Sequence, residues 1–289
     1  MKDSITIQRT GFYTTIQDKG RFGYAALGIP ESGAMDRKAM LLANALVNND
    51  EYEAVLEYTL VGPTIEFHCD RHFVITGGIT EARLQNNPIE NYTIYLACKG
   101  DILELKKITK GCRGYLAITG GLQTSDVLGS KSMYAPITSS RHIHKVTEIL
   151  VGATTYGTAK GARIKVPKSI EDASYLFQSV LKVYKGPEYD FLSSHLRKYI
   201  EETSFSISKL WNRMAIQLEE TVPHDTPSIR TGPVIPGTIQ LTPSGRLMVL
   251  MKDCQVTGGY PRILQLSESA MDIVAQKKQG DVISFLLAD

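Results

Sequence analysis

The chain has 289 residues, 43% of them hydrophobic, with 32 basic against 30 acidic residues and a formal net charge of +2. That length suits one large or two modest domains, and the near balance of charge gives nucleic acid or an anionic membrane no electrostatic hold. No apolar run is long enough to span a bilayer. The opening Met1-Lys2-Asp3-Ser4-Ile5-Thr6 alternates polar and apolar residues and lacks the core of a signal peptide, so the expected location is cytoplasmic.

In chain order, alternating or β-branched segments predict strands at Ile5–Gln8 and Thr14–Gln17. A helix is predicted from Asp36 to Val47, with Met35, Ala39, Leu42, Ala43 and Leu46 on one face, Asp36 as its cap and Asn48-Asn49 at its end. Further strands are predicted at Thr64–Phe67, Phe73–Thr76, Thr93–Leu96, Ile102–Leu105 and Tyr115–Thr119, separated by turn chemistry such as Val61-Gly62-Pro63 and Lys99-Gly100-Asp101. The stretch 153–174, rich in Gly, Thr, Lys and Ala, reads as a linker between two β-rich domains, 1–170 and 175–289. Beyond it, Val180-Leu181-Lys182-Val183-Tyr184 starts a new strand. Helices are predicted at about Tyr189–Glu202 and Glu268–Lys278, the latter capped by Ser267 or Ser269. Many short strands with regular turns point to barrels or sandwiches, a mainly β chain with a few helices.

Two segments have the makings of a site. Gln17-Asp18-Lys19-Gly20-Arg21 ends a strand and brings amide, carboxylate and guanidinium groups into a glycine-rich loop, where backbone can approach a ligand. Ser32-Gly33-Ala34-Met35-Asp36 then opens a helix, where free N–H groups favour an anion. The plain alternative is an ordinary turn and a helix cap. The second segment is Asp253-Cys254-Gln255-Val256-Thr257-Gly258-Gly259-Tyr260-Pro261, whose adjacent N–H groups suit an oxyanion nest or, equally, a tight turn.

Other patterns carry less. The four cysteines, Cys69, Cys98, Cys112 and Cys254, form no Cys-x-x-Cys pair and are expected to be reduced thiols. The ligand types in His68-Cys69-Asp70-Arg71-His72 alternate faces on an extended chain, so no metal site is expected. Gly129-Ser130-Lys131-Ser132 resembles the tail of a phosphate loop, but Thr124 stands where that loop needs glycine.

Taken in order, Ile16–Tyr24, Gly28–Asp36, Ala43–Val47, Leu56–Pro63, Arg113–Gly121, Leu128–Ser130, Gly237–Gln240 and Asp253–Pro261 resemble the KipA-like family. It is also called the allophanate hydrolase subunit 2 or biotin-dependent carboxyltransferase family. The resemblance spans nearly the whole chain and implies two cyclophilin-like β-barrel domains in tandem. It implies work as one component of an ATP-dependent 5-oxoprolinase, which opens 5-oxo-L-proline to L-glutamate. The implied partners are a KipI-like subunit, the B component of that enzyme, and a third subunit, its A component, with this chain inactive alone. ATP is the expected cofactor, held here or by a partner. One alternative is a carboxyltransferase component moving carboxylate from carboxybiotin to urea or an amide, with biotin involved only then. Another is a non-catalytic regulator that binds a KipI-like kinase inhibitor.

On this resemblance the expected catalytic residues are Gln17, Asp18 and Asp253. Substrate contacts are expected from Arg21, Ser32, Gly33, Asp36, Asn44 and Glu57 in the first half. Gln240, Thr257, Gly258, Gly259 and Tyr260 are expected to supply them in the second. Relatives usually carry Asn-Arg-Met-Gly-x-Arg-Leu where this chain has Asn212-Arg213-Met214-Ala215-Ile216-Gln217-Leu218. It also departs from them at Ser139-Ser140-Arg141-His142 and Ile229-Arg230-Thr231, which leaves the substrate as the open point.

Overall fold

The structure, a computed structural model, describes residues 3–144, 146–153, 164–165 and 173–288. The predicted linker, 153–174, lies largely outside them. The chain divides into two compact units, one of Met1–Arg21 with Ser32–Leu176, the other of Phe22–Glu31 with Phe177–Asp289. The loop between Arg21 and Ser32, continuous in sequence with the candidate site segments on either side, thus groups with the second unit.

The first unit contains β1 (Ser4–Arg9), β2 (Tyr13–Gln17), α1 (Arg37–Leu46), β3 (Val55–Thr59), β4 (Thr64–Phe67), β5 (Arg71–Leu84), β6 (Asn87–Ile89), β7 (Thr93–Ala97), β8 (Ile102–Ile118), β9 (Leu122–Gln123), β10 (Thr147–Val151) and β11 (Ile164–Lys165). Its sheet runs β11-β7-β5-β8-β4-β1-β10-β9, with β3 also bonded to β8, β2 to β3 and β6 to β5, and forms a nearly closed barrel. The predicted strands Ile102–Leu105 and Tyr115–Thr119 are the two ends of β8. Side-chain alternation explains its two-sided burial. Phe73, Ile75, Leu116 and Ile118 point into the barrel core, while Val74, Tyr115 and Ala117 form a second cluster with α1.

The face that α1 buries is Ala39, Met40, Ala43 and Asn44, with Val47 just beyond. Leu42 and Leu46, predicted inside, are half-buried. The helix is turned relative to its hydrophobic stripe because polar bonds fix it: Thr76 Oγ1 donates to the Ala39 carbonyl at 2.8 Å, and Asp36 holds its start. Asn48, at φ 53°, ends it as predicted.

The second unit contains β12 (Val180–Lys185), α2 (Ser194–Glu202), β13 (Phe205–Trp211), β14 (Ala215–Thr221), β15 (Gly232–Pro233), β16 (Thr238–Leu241), β17 (Arg246–Leu250), β18 (Thr257–Gly258), β19 (Arg262–Leu266), α3 (Glu268–Ala275) and β20 (Val282–Leu287). Seven of these strands close a barrel in the order β12-β19-β16-β17-β14-β13-β20. The parallel pairing of β12 with β20 seals it. Leu181, Val183, Ile216, Leu218, Ile239, Leu241, Leu247 and Val249 are buried at alternate positions of their strands. The predicted helix Tyr189–Glu202 is split into a 3-10 turn, Tyr189–Phe191, and α2, because Ser193 caps α2. Ser267 caps α3, as predicted. Among the described residues no helix is long and apolar enough to cross a membrane. All four cysteines are free, and all but Cys98 are buried.

Candidate functional site

In the first unit the strand β2 delivers Gln17 and Asp18 into a buried loop. Asp18 Oδ1 accepts hydrogen bonds from Gly20 N at 2.8 Å, Ser130 Oγ at 2.6 Å and Ser132 Oγ at 2.5 Å, and Oδ2 accepts from Lys131 N at 2.6 Å. These four donors take up nearly all that a carboxylate can accept. The Asp18 carboxylate therefore organises the loop, and its lone pairs are already engaged. Arg21, 1% exposed, donates from Nη2 to the Ser132 carbonyl at 2.6 Å, which clamps the same segment. Gly33 lies against this loop: a Cβ there would sit 2.9 Å from Gly20 N and the Lys19 carbonyl, so only glycine fits.

The segment Gly129–Ser132 faces the opposite task from a phosphate cradle. Gly129 N donates to Asp126 Oδ1 at 2.8 Å and Lys131 N to Asp18 Oδ2. Its amides hold the chain's own carboxylates, so this loop does not fit a phosphate.

The start of α1 is similarly filled. Met35 N and the Tyr115 hydroxyl both donate to Glu57 Oε2 at 2.8 Å, and Tyr115 accepts from Asp36 N at 2.8 Å. Asp36 Oδ1 accepts from Ala39 N and Oδ2 from the Tyr175 hydroxyl at 2.6 Å. Asp36 and Glu57 are 0% and 2% exposed. Burial, reinforced by Glu57 and then Asp36, holds the Tyr115 hydroxyl well above its ordinary value of 10. Burial and Asp36 do the same to Tyr175. Both hydroxyls stay protonated donors. The anion expected at this helix start would meet two carboxylates already in place, those of Asp36 and Glu57.

Asn44 lies in the body of α1 and ties down the loop that follows, donating to the Glu53 carbonyl at 2.8 Å. The Gln17 carbonyl oxygen and the Ser32 hydroxyl, the latter at φ 57°, are buried and lack a hydrogen-bond partner among the described residues. Such atoms are costly unless something completes them.

In the second unit Asp253 is held by Arg213 in a two-pronged ion pair, Nε to Oδ2 at 2.8 Å and Nη2 to Oδ1 at 3.0 Å. Cys254 beside it is pushed up to about 12, first by burial and then by Glu31, and supplies no thiolate. The oxyanion nest read into Gly258-Gly259 is not formed. Neither glycine has a left-handed φ, and Thr257–Gly258 is strand β18, laddered to β15. Gly258 serves a different need: a Cβ there would lie 2.6 Å from Gln240 Nε2. Gln240, 2% exposed, donates to the Tyr260 carbonyl at 3.2 Å. Gln240 and Tyr260 line a cavity of about 380 Å³, as do Ala215 and Gln217 from the divergent motif.

Sequence reasoning passes over Ser130, Ser132, Tyr115, Tyr175 and Arg213. The Ile-Thr-Gly-Gly run that occurs twice, at Ile75-Thr76-Gly77-Gly78 and, just after Tyr115, at Ile118-Thr119-Gly120-Gly121, and the serines of the failed phosphate loop are the signals present.

The chain matches the model of the carboxyltransferase domain, subdomain A and B, over residues 27–287. It is 33% identical to the C subunit of 5-oxoprolinase from Escherichia coli (strain K12), over 98% of this chain and 90% of that one. It is 44% identical to urea amidolyase of Lachancea kluyveri over 126 residues, which is 43% of this chain and 7% of that one. Among solved structures it superposes on the Kluyveromyces lactis urea carboxylase with a TM-score of 0.88 at 24% identity, covering 100% of this chain and 28% of that one. It spans 56% of another solved chain of the same fold, so these neighbours are about twice its length or more.

Proposed function

This chain belongs to the carboxyltransferase family of subdomains A and B, and from that membership we propose that it serves as the C-type subunit of an ATP-dependent 5-oxoprolinase. The observation that carries this reading is the end-to-end match, 98% of this chain against 90% of the Escherichia coli protein. A lactam amide resists water, and phosphorylation of its carbonyl oxygen by ATP makes the ring carbon open to attack. The enzyme then has to orient the amide and stabilise the developing oxyanion. Gln17 in the first unit and Gln240 in the second each offer a primary amide of the type that matches an amide edge. Asp18 acts by holding its loop through four accepted hydrogen bonds, and Asp253 through its two-pronged ion pair with Arg213. The filled Gly129–Ser132 loop favours a partner protein as the holder of the ATP phosphates. The working form is therefore an assembly with a KipI-like subunit and a third subunit, in the cytoplasm.

The test is co-expression of the three subunits and an assay of glutamate formed from 5-oxoproline with ATP. Glutamate formation that requires this chain supports the reading; a folded, complete assembly without it overturns it. A second reading, carboxyl transfer from a biotin-bearing partner to urea or another amide, is favoured by the 44% identity to a urea amidolyase. Carboxylation of urea that depends on a biotinylated partner would select it.

A further inference from the structure

We propose that the cavity of the second barrel receives the polar edge of a five-membered cyclic amide or urea. This rests on the reading above and deepens it by placing the ring. The cavity, about 380 Å³, lies between the β13–β14 hairpin and strands β16 and β17. Its lining contains no Asp or Glu, and Lys209 is its one charged residue. Neighbouring Arg213 is neutralised by Asp253. The lining therefore selects against cations and suits a single negative charge.

Four primary amides, Asn212, Gln217, Gln240 and Gln255, share this lining, and the Asn212 oxygen is taken up by Met214 N and Ala215 N. Each carries an acceptor and a donor side by side. A ring of five atoms forces its amide to present N–H and C=O on one edge, the same spacing in reverse. The Gln255 carbonyl oxygen is buried and has no hydrogen-bond partner among the described residues, so it is an acceptor waiting for an N–H. Gln240 is fixed by the Tyr260 carbonyl and can sit where it does because Gly258 has no side chain. Met214, Met248 and Leu250 supply an apolar wall for ring methylenes. The ring edge is shared by 5-oxoproline, which keeps its carboxylate free, and by biotin, which a carrier protein holds through its carboxyl group; each belongs to one of the two readings.

The protein holds a single tryptophan, Trp211, and it lines the cavity. Its fluorescence in the purified full chain is titrated with 5-oxoproline, with biotin, and with proline, which has the ring and carboxylate without the amide. A saturable change with 5-oxoproline or biotin but not proline supports the site and identifies the source. Gln255→Leu is expected to weaken that binding by about tenfold, roughly 1.4 kcal/mol, with an unchanged melting temperature. In the three-subunit assembly the same variant is expected to raise KM for 5-oxoproline with kcat little changed. A folded chain that shows no saturable change with either ligand, together with an assembly whose KM is unmoved by Gln255→Leu, overturns the site while leaving the proposed function standing. Binding without turnover would support the site and count against the function alone.

Discussion

At the scale of single residues, the buried acids are structural before they are chemical. Asp18 collects four hydrogen bonds from residues over a hundred positions away as well as from its own turn. Asn at this position keeps one acceptor oxygen and sets an NH2 group against at least one donor. Bonds to a charged group contribute about 1.5–3 kcal/mol each, so Asp18→Asn is expected to cost about 3 kcal/mol in a denaturant titration. Lost activity with unchanged stability would instead place Asp18 on the substrate. Arg213 and Asp253 make the second case, with side chains 6% and 13% exposed. Removing one partner of such a pair costs about 3 kcal/mol, largely from the charge left behind. Arg213→Ala and Asp253→Ala are each expected to cost that much, and the double variant no more than either. Additive losses would show that the two act separately.

At the scale of elements, the features set by local chemistry are legible in the sequence. Asp36, Asn48 and Ser267 sit at helix ends because short polar side chains, or a tolerated left-handed φ, satisfy groups the helix leaves open. Ser267→Ala is accordingly expected to lower stability by about 1 kcal/mol, measured by the shift in melting temperature. The strand β8 reads as two pieces in the sequence because Lys106-Lys107-Ile108-Thr109-Lys110-Gly111-Cys112-Arg113-Gly114 is polar and glycine-rich. Only its long pairing with β5, from Phe73–Ile118 to Leu84–Leu103, shows it to be continuous. The same limit applies to the site. Asp18, Arg21, Asp36 and Glu57 can be picked out by type and loop position. Their partners Ser130, Ser132, Tyr115 and Tyr175 lie 58 to 139 residues away along the chain in the bonds they make to Asp18, Glu57 and Asp36. The bond from Tyr115 is the one to test: Tyr115→Phe removes the donor to Glu57 and the acceptor of Asp36 N–H. The expected cost is about 2 kcal/mol, with Tyr175→Phe smaller because Asp36 keeps its helix-cap bond.

At the scale of the whole molecule, each barrel is held by pairings distant in sequence, and in the second barrel one ion pair fastens three of the segments. Arg262 on β19 donates from Nε to Glu188 Oε2 at 2.9 Å and from Nη2 to Glu188 Oε1 at 2.6 Å. Its Nη1 reaches the Pro233 carbonyl on β15 at 2.8 Å. Gly186, just before Glu188, comes so close to β19 that a Cβ would lie 2.1 Å from the Arg262 carbonyl oxygen, so backbone contact and ion pair reinforce each other. The hydrogen bond from Arg262, outweighing the cost of burial, holds the Glu188 carboxyl below its ordinary 4.5. Folding therefore favours the ionised carboxylate. Its contribution is fully present above 4.5 and is lost as pH falls through the lower, folded-state value. The emission of Trp211 follows the unfolding of this barrel. Wild-type protein is expected to lose stability steeply on acidification below 4.5, and Glu188→Gln to start less stable at neutral pH but to fall off more gently. Parallel acid profiles for the two proteins would show that other carboxylates govern the acid limit of the second barrel, and that this ion pair fastens its segments without setting it.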